Sequence, residues 1–136
     1  DADSVFLPQR LSALLEDRQW NPEVPVFVNN CVAPDQYLHG PIEVVSRAGM
    51  ALFNKSGAGV QSCAFMAQLD PTNREDWFLG KCLEKLGASR LDAAELLTEH
   101  NCPPFPATVE CYSGRVAFHP FKDATSWENC LHAAQR

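Results

Sequence analysis

The chain has no run approaching about 18 consecutive apolar residues, so it offers no stretch able to cross a bilayer as a helix. Basic residues are also scarce: 11 Lys and Arg stand against 17 Asp and Glu, a net charge of −6. No window clusters Lys or Arg in the way that neutralises phosphates by counterion release, which sets nucleic acid aside as a general partner. Basic amphipathic stretches of the kind that hold a chain to a membrane surface are lacking too. No glycine-rich phosphate loop precedes a helix, and Ser46, Ser56, Ser62 and Ser113 all lack the Gly-x-Ser-x-Gly context of a strained nucleophile. Cys-x-x-Cys pairs are missing, so zinc and dithiol redox chemistry are not expected, nor is any cofactor. There is no internal repeat and no low-complexity tract.

What is there describes an ordinary folded domain. A length of 136 residues suits one domain over 1–136, and 46% hydrophobic with 21% charged residues is the composition of a chain that buries a core. The six cysteines, Cys31, Cys63, Cys82, Cys102, Cys111 and Cys130, form an even set at high density, which points to disulfides and an oxidising compartment. Their spacing leaves the pairing open. Reduced, buried thiols are the alternative, because Cys82 and Cys130 fall on helical apolar stripes. Asn54-Lys55-Ser56 is an acceptor sequon for N-glycosylation, and the chain starts at Asp1 with no charged-then-apolar leader. The expectation is a secreted or extracellular glycoprotein.

Periodicity predicts about four helices and an antiparallel sheet. Pro8 with Leu11, Leu14 and Leu15 predicts a helix over 8–20, and Val24 to Val28, limited by Pro25, predicts an edge strand. Residues 34–41 hold loop formers, and 42–53 fit either period. A strand over 60–69 through Cys63 and Phe65 would close a hairpin from 50 to 68. Thr72-Asn73-Arg74-Glu75 has the form of a capping box before Phe78, Leu79, Cys82, Leu83 and Leu86, with Gly87 ending that helix. Ser89 would cap another helix through Leu91, Ala94 and Leu97 to His100. The acidic Asp92, Glu95 and Glu99 on it argue against a DNA-reading helix-turn-helix, and His100 then answers the helix macrodipole. Pro103, Pro104 and Pro106 make a rigid link to a hairpin over 108–119 turning at Ser113-Gly114, and Thr125-Ser126-Trp127-Glu128 opens a last helix. The fold class expected is α+β, with Trp77 and Trp127 buried beside capped helices and His132 without a partner.

The 108–119 hairpin carries the best chemical candidates. A two-residue turn would put Val109, Cys111, Val116 and Phe118 on one face and Thr108, Glu110, Tyr112, Arg115 and His119 on the other. Glu110, Arg115 and His119 would then lie within diagonal reach, able to act as base, phosphate clamp and acid in cleaving a phosphodiester. Preceded by Tyr37 and His39, they stand in the order Tyr-x-His, Glu, Arg, His, which resembles secreted microbial guanyl-specific ribonucleases. That resemblance implies phosphodiesterase activity. The spacing differs, since the family spreads its last three residues over separate strands. Separately, Val24 to Ala33 is similar to a stretch in the C-terminal half of zona-pellucida polymerisation modules, whose downstream cysteine spacing and strand-rich pattern are missing here.

Two functional classes follow. The leading expectation is a non-enzymatic extracellular recognition or effector domain that binds a protein partner through aromatics on rigid loops, with Tyr37, Phe105, Tyr112 and Phe121 as contact residues. The alternative is a small ribonuclease-like phosphodiesterase using Glu110, Arg115 and His119.

Overall fold

Proline fits the first turn of a helix because its missing N–H has no intrahelical acceptor there, and α1, Pro8–Asp17, starts on Pro8. The computed structural model of the protein describes residues 1–32, 38–55, 61, 63–65 and 74–136. Leu11 and Leu14 of α1 pack on a core cluster that includes Val28, Leu96, Leu97, Val116 and Ala117. Helix α2, Arg47–Asn54, resolves the ambiguous 42–53 block as helical after Ser46. The buried Ser46 Oγ accepts N–H groups from Gly49 and from Val26, each at 2.9 Å, so one side chain both caps α2 and ties it to the strand beneath.

Helix α3, Glu75–Lys85, ends as the sequence predicts. Gly87 has φ +95°, and the N–H groups of Gly87 and Ala88 return to Glu84 O at 3.0 Å and Leu83 O at 2.9 Å. Its start differs: Arg74 is the flanking residue and gives no side-chain cap, while Thr72 and Asn73 lie outside the described residues. Helix α4, Ala124–Ala134, is capped two residues earlier than the Thr125 box implies, by Asp123, whose carboxylate accepts the Ser126 N–H at 2.9 Å.

The strands correct the expected antiparallel sheet. β1, Val5–Phe6, pairs antiparallel with β5, Ala117–Phe118, and β4, Leu97–Thr98, pairs parallel with β5 on its other side, giving the order β1-β5-β4. A second sheet joins β2, Val26–Asn29, in parallel to β3, Ser89–Asp92. Both sheets are built from segments distant in sequence, so local hairpin logic does not find them. The helix expected over 89–100 is in fact β3, a 3-10 turn over Ala94–Leu96, and β4. Leu91, Ala94 and Leu97 satisfy a helical spacing, but backbone pairing with β2 and β5 outweighs that local preference. Of the strand expected over 60–69, the described residues Gln61 and Cys63 to Phe65 take helical backbone. The hairpin over 108–119 is absent as well: only Ala117–Phe118 is extended, and residues 108–116 form turns, with Gly114 at φ +77°.

All six cysteines are paired, as Cys31–Cys102, Cys63–Cys82 and Cys111–Cys130. The first staples β2 to the segment after β4 inside the main core cluster, and the third holds the 108–116 turns against α4. Three bridges in so short a chain are typical of extracellular proteins. Among the described residues no helix is long and apolar enough to cross a membrane.

Candidate functional site

The proline link 103–106 and the 108–116 turns are two irregular segments, one following β4 and the other leading to β5. Together with residues of β4 they line a cleft of about 320 Å³, a size in the range of ligand-binding pockets. Pro103, Pro104 and Pro106 of the first segment, Glu110, Ser113 and Arg115 of the second, and Thr98 with Glu99 are among its lining residues. Glu110 and Arg115, expected to share a site, are thus brought to the same cleft, but they form no ion pair with each other. Glu110 is exposed. The Arg115 guanidinium donates to Ala94 O, and its carbonyl accepts from Arg10 Nη1 at 2.7 Å, so Arg115 braces the 3-10 turn and α1.

His119 does not join them. Its Nδ1 meets Glu99 Oε2, and its Nε2 faces Asp3 Oδ1 at 3.4 Å. The diagonal Glu110-Arg115-His119 constellation required a regular hairpin, and without one His119 contacts Glu99 but is not itself among the cleft-lining residues. Glu99 is the residue that sequence reading missed. On the expected 89–100 helix it served only as an acidic residue against DNA reading, yet it is 2% exposed and engaged: Oε1 accepts the Asn101 N–H at 3.2 Å and Asn101 Nδ2 at 3.0 Å. No periodic signal marks it, because its burial comes from β4 pairing with β5.

The expected contact residues divide. Phe105 is 61% exposed and Tyr112 is 72% exposed, the two highest values among the described large hydrophobic residues. Phe105 sits between cleft-lining Pro104 and Pro106, and Tyr112 adjoins Ser113. Phe121 instead packs with Val5, Phe118 and Trp127 and completes a core cluster. Tyr37 lies outside the described residues. Trp77 and Trp127 are partly rather than fully buried, and Trp127 Nε1 donates to Ser4 O at 2.9 Å.

Two of the other histidines hold structural positions. His39, the second member of the Tyr-x-His pair, has its Nδ1 3.6 Å from Asp76 Oδ2. Burial pushes the Asp76 carboxyl up, but hydrogen bonds from His39 and from the N–H groups of Gly40 and Trp77 outweigh it and hold the group below its ordinary range. His100 is not at a helix end; its Nδ1 lies 2.7 Å from Pro106 O and helps set the proline link. His132 is exposed on the last turn of α4. A separate grouping joins Asp1, Asp3 and His119, one ligand atom of each lying within 4.8 Å of the others. The hydrogen bond from Lys122 holds the Asp3 carboxyl below its ordinary range.

No protein family, curated protein or solved structure matches the chain.

Proposed function

We propose that this is a non-enzymatic extracellular recognition domain that holds a protein partner in the proline-walled cleft. One observation carries the reading: the two most exposed large aromatics of the described residues, Phe105 and Tyr112, belong to the two segments that wall the same cleft. Aromatic rings on segments stiffened by proline and by the Cys111–Cys130 bridge lose little conformational freedom on docking, which suits them to anchor an interface. The partner that fits is a basic, extended segment. Proline rings and Leu97 offer apolar contact, Glu110 is an exposed acceptor at the rim, and the net charge of −6 attracts positive surfaces.

The phosphodiesterase reading is the weaker one, because the acid it needs is bonded to Glu99 and the clamp it needs is committed to a backbone carbonyl. The test pairs two assays on oxidised protein. RNA should survive incubation with pure protein, and partner capture should fall at least about tenfold in Phe105→Ala/Tyr112→Ala, since buried aromatic anchors carry about 2 kcal/mol or more each. RNA cleavage lost in Glu110→Gln would replace this reading with the enzymatic one. The sequon at Asn54 is compatible with a secreted glycoprotein, as Asn54 is exposed at the end of α2; Ser56 is outside the described residues.

A further inference from the structure

The Asp1 to Ser4 turn leads into β1, and β5 runs antiparallel beside β1, so His119, directly after β5, comes to lie beside that turn. The turn is closed by Ser4 N–H to Asp1 O at 3.2 Å and tied to the chain beyond β5 by Phe121 N–H to Asp3 O at 2.9 Å. His119 is therefore held against Asp3 by backbone on both sides. Its Nδ1 is occupied by Glu99, a buried carboxylate that Asn101 prevents from swinging away. When Nδ1–H donates to Glu99, Nε2 presents a lone pair, and what it faces at 3.4 Å is Asp3 Oδ1, another lone-pair atom. Two such atoms repel unless positive charge lies between them.

We propose that Asp1, Asp3 and His119 bind one divalent cation of the zinc class. One donor atom from each residue lies within 4.8 Å of the others. Ligands at zinc distances of about 2.1 Å in a tetrahedral shell stand about 3.4 Å apart, and the His119 Nε2 to Asp3 Oδ1 separation is 3.4 Å. An imidazole with two carboxylates is a borderline donor set that suits zinc better than magnesium or calcium, which take oxygen ligands. The Glu99 contact supplies the carboxylate-histidine pairing that fixes the tautomer and orients the ring of metal-binding histidines. The same turn holds Ser4, which is 8% exposed and whose Oγ has no hydrogen-bond partner among the described residues. Lys122 neutralises the other Asp3 oxygen, so the cation contacts Asp3 through one oxygen only. Sequence spacing gave no hint, because the ligands come from opposite ends of the chain. The inference is independent of the partner reading, with which it shares only Glu99 as a cleft-lining residue.

Calorimetric titration of chelator-treated protein with Zn²⁺ tests it. One equivalent should bind, and the His119 ring nitrogen signals should show metal on Nε2. Asp3→Asn and Asp1→Asn should each weaken binding at least about tenfold, and Glu99→Gln about 10- to 100-fold. Asp1 is exposed, so Asp1→Asn keeps the fold and remains informative if the buried variants misfold. His132→Gln should change nothing. The proposal is overturned by no uptake, by uptake undiminished in Asp1→Asn and Asp3→Asn, by equal affinity for Mg²⁺, or by His119 ring nitrogen signals that Zn²⁺ leaves unchanged.

Discussion

Ser46 and Gly49 show how much of this fold rests on single atoms. Ser46 Oγ is acceptor to two N–H groups from different elements, and Ser46→Ala leaves both without it in a buried place. The expected cost is about 2 to 3 kcal/mol, read as a lower urea midpoint with unchanged slope. Gly49 lies inside α2, where alanine ordinarily stabilises by about 1 kcal/mol. Here a Cβ would meet Val45 Cγ1 at 2.9 Å and Val26 O at 3.3 Å. Gly49→Ala should therefore destabilise, by about 1 to 3 kcal/mol, and a gain in stability would contradict the close α2–β2 packing. Asp76 adds a pH signature. Its folded pKa lies below the unfolded one, so its contribution is present at neutral pH and is lost as pH falls through the folded value, below about 4. Asp76→Asn should lower Tm at pH 7 and flatten the acid limb of a Tm–pH curve; an unchanged limb would mean that the hydrogen bonds from Gly40 and Trp77 do not form.

At the scale of elements, three of the helices and the strand at Val24 to Val28 were readable, and the pairing of the sheets was not. Pro8, Gly87 and the apolar repeats of α1, α3 and α4 act within a few residues, so their physics is written locally. The strands β1, β4 and β5 are two residues each, too short for any alternation, and they exist only through pairing at a distance, β1 with β5 across more than a hundred positions and β4 with β5 across about twenty. The same reason explains the candidate site. Phe105 was legible as a loop residue beside proline, and Glu110, Tyr112 and Arg115 as neighbours, though on a hairpin that does not form, whereas Glu99 and the Asp1, Asp3 and His119 grouping depend on where β4 and β5 lie. The cysteines foretold bridges, and their pairing ranks them. Cys31–Cys102 closes 71 residues of chain and each of the others 19. On loop entropy alone the long bridge contributes about 4 kcal/mol and each short one about 3. Replacing Cys31 and Cys102 by Ala should thus lower the urea midpoint more than replacing Cys111 and Cys130; the reverse order would show that holding the 108–116 turns matters more than joining β2 to β4.

For the whole molecule, the three bridges, the acidic balance and a cleft edged by exposed aromatics support the proposed account, in which an extracellular surface recognises a basic partner. Long-range attraction by a net charge of −6 should make association faster at low salt and slower as salt screens it over a Debye length of about 8 Å. The most direct measurement is site-specific photocrosslinking, with a photoreactive residue placed at Tyr112 and, in a second protein, at Met50, another exposed apolar site, on α2 and not among the cleft-lining residues. The account predicts a crosslinked partner from Tyr112 that is competed away by unlabelled protein and lost in Phe105→Ala, with none from Met50. A partner captured equally from both positions, or from Met50 alone, would contradict it.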